Sequence, residues 1–109
     1  MALPRAKPGE VVDLRPLGSR LREARSAALV KTAQFEAIRL VVPAGTEIPS
    51  HDVAGNITLH CLEGRVSLGL KVDSVELGAG EWVYLDRGEA HSVKGVEDAS
   101  LLLTIMLDN

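Results

Sequence analysis

The sequence is poor in aromatic residues: one tryptophan, one tyrosine and one phenylalanine make up 3% of it. Few aromatics mean few platforms on which nucleic-acid bases could stack. A single cysteine, Cys61, excludes an intramolecular disulfide and any Cys-x-x-Cys redox or zinc pattern. No apolar run approaches the roughly 18 residues that a membrane-spanning helix needs. Basic charge is also short, with 12 Lys and Arg against 15 Asp and Glu and a net charge of −3. The imbalance is uneven, because residues 1–34 hold 7 basic and 3 acidic side chains and the remainder is acidic. An acidic body offers no phosphate-neutralising face, so nucleic acid is not an expected partner. The basic N-terminal arm reads as a solvated segment or one lying across that acidic body. Met1 to Val12 lack the apolar stretch of a secretion signal. A cytoplasmic location and no membrane partner are therefore expected.

What is present is ordinary for a globular domain. The chain of 109 residues is 46% hydrophobic and 25% charged, enough for one domain with a core and no staples. Pro4, Pro8 and Pro16 forbid a long regular element before residue 17, although Val11, Val12 and Leu14 could form a short edge strand. Across Ser19 to Leu29, Leu21, Ala24, Ala28 and Leu29 fall near helical spacing, while the run Ala28 to Thr32 reads equally well as a strand. From Phe35 the period becomes two. Ile38, Leu40 and Val42 alternate with Arg39 and Val41, and Pro43-Ala44-Gly45 closes that strand. Arg39 and Arg65 are expected to face solvent. Ile57, Leu59 and Cys61 share one face, with Thr58, His60 and Leu62 on the other. Val66, Leu68, Leu70 and Val72 alternate next, and Asp73-Ser74 turns the chain into Val75-Glu76-Leu77. Gly78-Ala79-Gly80 precedes Trp82 to Leu85, Arg87-Gly88-Glu89 turns into His91-Ser92-Val93, and Leu101 to Leu107 suits a strand covered on both faces. Short strands punctuated by glycine turns predict an all-β sandwich or barrel. Its expected core includes Val66, Leu68, Leu70, Leu101, Leu103 and Ile105.

The spacing of glycine and histidine from Gly45 to about Leu107 resembles the cupin superfamily, small jelly-roll barrels of the double-stranded β-helix type. The first cupin motif falls on Gly45, His51, Val53, Ile57 and Gly64, and the second on Gly80, Asp86, Gly88, His91 and Gly95, with every interval intact. The resemblance implies one domain, with residues 1–34 as an arm of short strand and turn segments and residues 35–109 as the barrel. Metal-binding cupins draw three histidines and a glutamate from these motifs. This chain keeps His51 and His91, but the second histidine slot is Val53 and the glutamate slot is Ile57. His60 would be a third ligand only if a bulge turned it inward. Cys61 already shares the inward face and is a soft donor in principle.

The resemblance thus implies a pocket formed by His51, Val53, Ile57, Leu59, Cys61 and His91. It leaves two readings open. In one, a stand-alone small cupin binds a small molecule in the barrel through a degenerate metal site. In the other, His51 and His91 hold iron, nickel, zinc or manganese with a non-standard third ligand, and the protein is a dioxygenase, isomerase or decarboxylase. Whether it is an enzyme stays open. A homodimer is expected, because such barrels have an exposed sheet edge and an apolar outer face.

Overall fold

The computed structural model describes residues 5–51 and 55–107, with only the backbone at residue 51. A 3₁₀ helix, Gly18–Glu23, precedes β1 (Ala27–Lys31), β2 (Phe35–Val42), β3 (Glu47–His51), β4 (Ile57–Glu63) and β5 (Arg65–Gly69). Then follow β6 (Ser74–Gly78), β7 (Trp82–Leu85), β8 (His91–Gly95) and β9 (Ala99–Met106). They form two antiparallel sheets, β1-β2-β9-β4-β7 and β3-β8-β5-β6. This is an all-β jelly roll.

The period of two does what it predicts. In β4, Ile57, Leu59 and Cys61 are buried while Thr58 and His60 are half-buried on the opposite face. With Val42, Val66, Leu68, Leu77, Leu85, Val93, Ala99 and Leu101 they form one core between the sheets, against which Leu70, Leu103 and Ile105 pack. Each large side chain in it contributes roughly 1.5–3 kcal/mol. Val72 departs from this face: it lies in the turn closed by the Leu70 N–H donating to the Asp73 carbonyl, and it is exposed.

The N-terminal third differs from expectation in two respects. The Val11–Leu14 segment is not a strand, and Val11 is 94% exposed. Pro8 and Pro16 on either side, each without a backbone N–H to donate, leave it irregular. The Ser19–Leu29 ambiguity resolves into both elements. Gly18–Glu23 makes a 3₁₀ helix that buries Leu21, and the following alanines enter β1, which pairs with β2. The extra residue at Leu29 bulges β1, and the Leu29 carbonyl accepts the Ala6 N–H at 2.7 Å. The arm therefore crosses the outer face of the five-stranded sheet.

Arg39 corrects a second expectation. It points outward from β2, yet the arm covers it, and its side chain is only 11% exposed. Its Nη2 donates to the Arg15 carbonyl at 2.7 Å and to Ser100 Oγ at 3.3 Å, and lies 3.5 Å from Glu63 Oε2. Arg65 does face solvent, paired with Glu76 at 3.3 Å.

Glu63 reaches Arg39 through a bulge. The β4–β9 register runs regularly from Ile57↔Ile105 to Cys61↔Leu101, then slips so that Glu63 faces Ser100. Simple alternation would send Glu63 inward with Cys61. The extra residue, Leu62, turns it to the outer face. There its carboxylate accepts the Leu17 N–H at 2.9 Å, the Gly18 N–H at 3.1 Å and the Ser100 hydroxyl. Burial pushes the Glu63 carboxyl up, but the Leu17 N–H, the Ser100 hydroxyl, the Gly18 N–H and the Arg39 charge outweigh it. The carboxyl sits below its usual range.

Candidate functional site at the barrel interior

Between the sheets lies a cavity of about 80 Å³ lined by Leu40, Ile48, Leu59, His91, Val93 and Leu103. At roughly 30 Å³ per water, that is room for two or three waters. Its single ionisable lining residue, His91, is 3% exposed. His91 Nδ1 lies 3.1 Å from the Glu89 carbonyl. A carbonyl can only accept, so Nδ1 is the donor in this contact. The turn that positions Glu89 is the Arg87-Gly88-Glu89 turn expected from the sequence, closed by the Glu89 N–H on the Asp86 carbonyl.

In the β3–β8 pair, His51 and His91 are directly opposed, beyond a bulge between Ile48 and His51. The structure thus brings the two motif histidines to adjoining backbone positions at one end of the four-stranded sheet. Leu59 joins His91 on the cavity wall. Ile57 and Cys61 are buried in the core away from the cavity lining, and Val53 lies outside the described residues. The Cys61 Sγ donates to the Glu63 carbonyl at 3.3 Å, and burial pushes the thiol up, so it is a packed neutral group at pH 7. His60 points away from the cavity. Its strand is regular through Cys61, and its partners in register are Trp82 and Leu102.

A cupin-type metal is best tested on the donor set. Among the described residues, no three His, Cys, Asp or Glu side chains come together to hold an ion. The glutamate slot is filled by Ile57, buried at 2% exposure, and the second histidine slot by Val53. Two imidazoles fall short of the three protein ligands that hold a catalytic metal. The described residues do not by themselves make a site for a tightly bound ion.

Leu40, Ile48, Val93 and Leu103 are cavity residues that the motif spacing did not name. The alternation in β2 and β8 carried the signal for Leu40 and Val93, since they share a face with Val42 and His91.

No protein-family model matches this sequence, and no curated protein does. Solved structures do match, and several of them are described as cupins. A conserved protein of unknown function from Streptococcus pyogenes superposes with a TM-score of 0.77 at 17% identity, covering 100% of this chain and 96% of that one. An RmlC-like cupin protein from Desulfovibrio desulfuricans gives 0.74 at 21% identity, over 90% of this chain and 98% of that one. The polyketide cyclase RemF from Streptomyces resistomycificus gives 0.67 at 21% identity, over 76% and 64%. The chain has the fold of a small single-domain cupin. No helix among the described residues is long and apolar enough to cross a membrane.

Proposed function

We propose that the protein is a ligand-binding cupin module in which His51 and His91 offer a polar pair at the end of an otherwise aliphatic barrel interior. The observation that carries this reading is His91 itself. It is buried, its Nδ1 is held by the Glu89 carbonyl, and its Cα partner is His51. A cavity of about 80 Å³ suits a small polar ligand or a few waters, well below the roughly 300 Å³ at which drug-sized sites begin. A metal-dependent enzyme is the competing reading, and it draws on the occurrence of this fold in a polyketide cyclase.

Elemental analysis of freshly purified protein separates the two. The module reading expects less than stoichiometric transition metal. Replacing His51 and His91 together by glutamine is then expected to move Tm by no more than about 4 °C, because no native-state ligand is lost. One equivalent of metal, with a large drop in Tm that a chelator reproduces in wild type, would establish the enzyme reading instead.

We also propose a homodimer in a cytoplasmic setting. Trp82 and Tyr84, 59% and 48% exposed, lie on β7, an edge strand of the five-stranded sheet. Beside them on the outer face stand His60 and Thr58 of β4. Large exposed aromatics at an unpaired edge are what an isologous interface would cover. Sedimentation at tens of micromolar is expected to give a dimer that Trp82→Ala weakens; a wild-type monomer would refute it.

A further inference from the structure

Between Arg5 and Leu17 no residue is buried, and only Ala6, Leu14 and Leu17 are half-buried. Leu21, in the 3₁₀ helix, is the first described side chain to enter the interior, at 1% exposure. Beneath the arm a cleft of about 620 Å³ stays open, with Val12 and Leu14 on one side and Val30, Ala37 and Leu102 on the other. Apolar packing therefore holds the arm weakly, whereas the strands it crosses share the core.

A clamp on its backbone holds it instead. Arg39 Nη1 and Nη2 donate to the Asp13 and Arg15 carbonyls at 3.4 and 2.7 Å. Glu63 accepts the Leu17 and Gly18 N–H groups at 2.9 and 3.1 Å. One ion pair thus grips the arm's backbone at Asp13, Arg15, Leu17 and Gly18. Toward the N-terminus, Ala6 N–H on the Leu29 carbonyl is a separate tie at 2.7 Å. Closing the clamp has a cost. It takes the Arg39 and Glu63 side chains to 11% and 13% exposure and leaves Arg39 Nε buried without a partner. Opening the arm returns water to all of these groups. The clamp ends at Gly18, whose φ is +61° and around which nothing crowds the position of a Cβ.

We propose that residues 5–17 are a strap that opens as one unit about Gly18 while both sheets stay folded. Its opening uncovers Arg39 and Leu102, which lie in register with His60 and Trp82 on the same outer face. The strap thereby gates how far that row is exposed. This device goes beyond the barrel and dimer readings and depends on neither.

Native-state hydrogen exchange of the full chain, followed over rising denaturant, tests it. The Ala6, Leu17 and Gly18 amides are expected to open with one common free energy. Their protection should lie at least about 100-fold below that of β4 and β9 amides and depend little on denaturant, since the opening exposes little surface. Gly18→Ala strains the closed backbone and is expected to lower protection at Leu17 and at distant Ala6 alike, about tenfold. Glu63→Gln should lower protection at Ala6 about 100-fold or abolish it, although Ala6 does not touch Glu63. Glu76→Gln should leave Ala6 unchanged. Should Glu63→Gln fail to fold, the wild-type denaturant series and Gly18→Ala decide. Protection at Ala6 that neither variant moves would mean that the arm frays piecemeal, and would overturn the proposal. Arm amides that share the free energy and denaturant slope of the barrel strands would overturn it equally.

Discussion

Glu63→Gln is expected to destabilise the protein by about 3 kcal/mol at pH 7, a drop in Tm of roughly 15 °C. The side chains of Arg39 and Glu63 are 11% and 13% exposed, so removing the carboxylate leaves a mostly buried guanidinium without its counter-charge. Arg39 has little to fall back on. Its Nε is already buried without a hydrogen-bond partner, and its other contacts are to neutral oxygens of Asp13, Arg15 and Ser100. The glutamine amide would also set a donor where Leu17 and Gly18 present N–H groups. Glu76→Gln breaks the exposed Arg65 pair and serves as control, with an expected cost below about 0.5 kcal/mol. Equal effects of the two substitutions on thermal unfolding would show that the Arg39–Glu63 pair is no anchor.

The same pair gives a pH dependence with a definite sign. The Glu63 carboxyl is held below its ordinary value of 4.5, so the folded state binds that proton less readily than the unfolded state. The stability it supplies is fully present above 4.5 and is lost as pH falls below that value through the folded-state pKa. The gap between wild type and Glu63→Gln should therefore narrow on acidification from pH 4.5, and the protection of the Leu17 and Gly18 amides relative to their intrinsic exchange rates should fall in the same window. A gap that stays constant down to pH 3 would separate the network from the titration of Glu63.

Why these residues were hard to read follows from what alternation can report. A period of two assigns each side chain to a face of its sheet, and it did so for β2, β4, β5 and β9. It does not report what covers that face. Arg39 was correctly outward and wrongly solvated, because the arm that buries it comes from residues without a period. Glu63 was hidden by the bulge at Leu62, which inverts alternation and leaves no local mark in a run as ordinary as Cys61-Leu62-Glu63. The strand Glu47–His51 carries a proline and a single large apolar residue, Ile48, so no pattern announces it. Its place at the edge of the four-stranded sheet is what tolerates Pro49. The opposition of His51 and His91 was legible because motif glycines set turn lengths, and turn lengths set register. The cleft under the arm was not, since it is made by two segments distant in sequence and by the absence of side chains large enough to fill it.

Those motif glycines are not equivalent, and two of them give the second large prediction. Gly64 and Gly80 both hold a positive φ, +76° and +86°, which costs a residue with a Cβ roughly 1–2 kcal/mol. At Gly80 nothing lies within 4 Å of where that Cβ would stand. Gly80→Ala is therefore expected to cost the conformational strain alone. At Gly64 the Cβ would stand 2.0 Å from the Asp98 carbonyl oxygen and 2.8 Å from the Ala99 Cα, both backbone atoms. Relief would require moving the β8–β9 turn, whose Asp98 carboxylate accepts the Ala44 N–H at 2.8 Å and pairs with Arg22 at 3.1 Å. It would also shift the start of β9 away from the Arg39–Glu63–Ser100 contacts. Gly64→Ala is expected to cost at least about 4 kcal/mol, among the largest single effects a domain of this kind shows. Chemical denaturation of both variants checks the contrast, with soluble yield as the readout if Gly64→Ala unfolds. Similar losses at Gly64 and Gly80 would mean that the Asp98 turn yields easily, and that the two sheets are not locked together at this crossing.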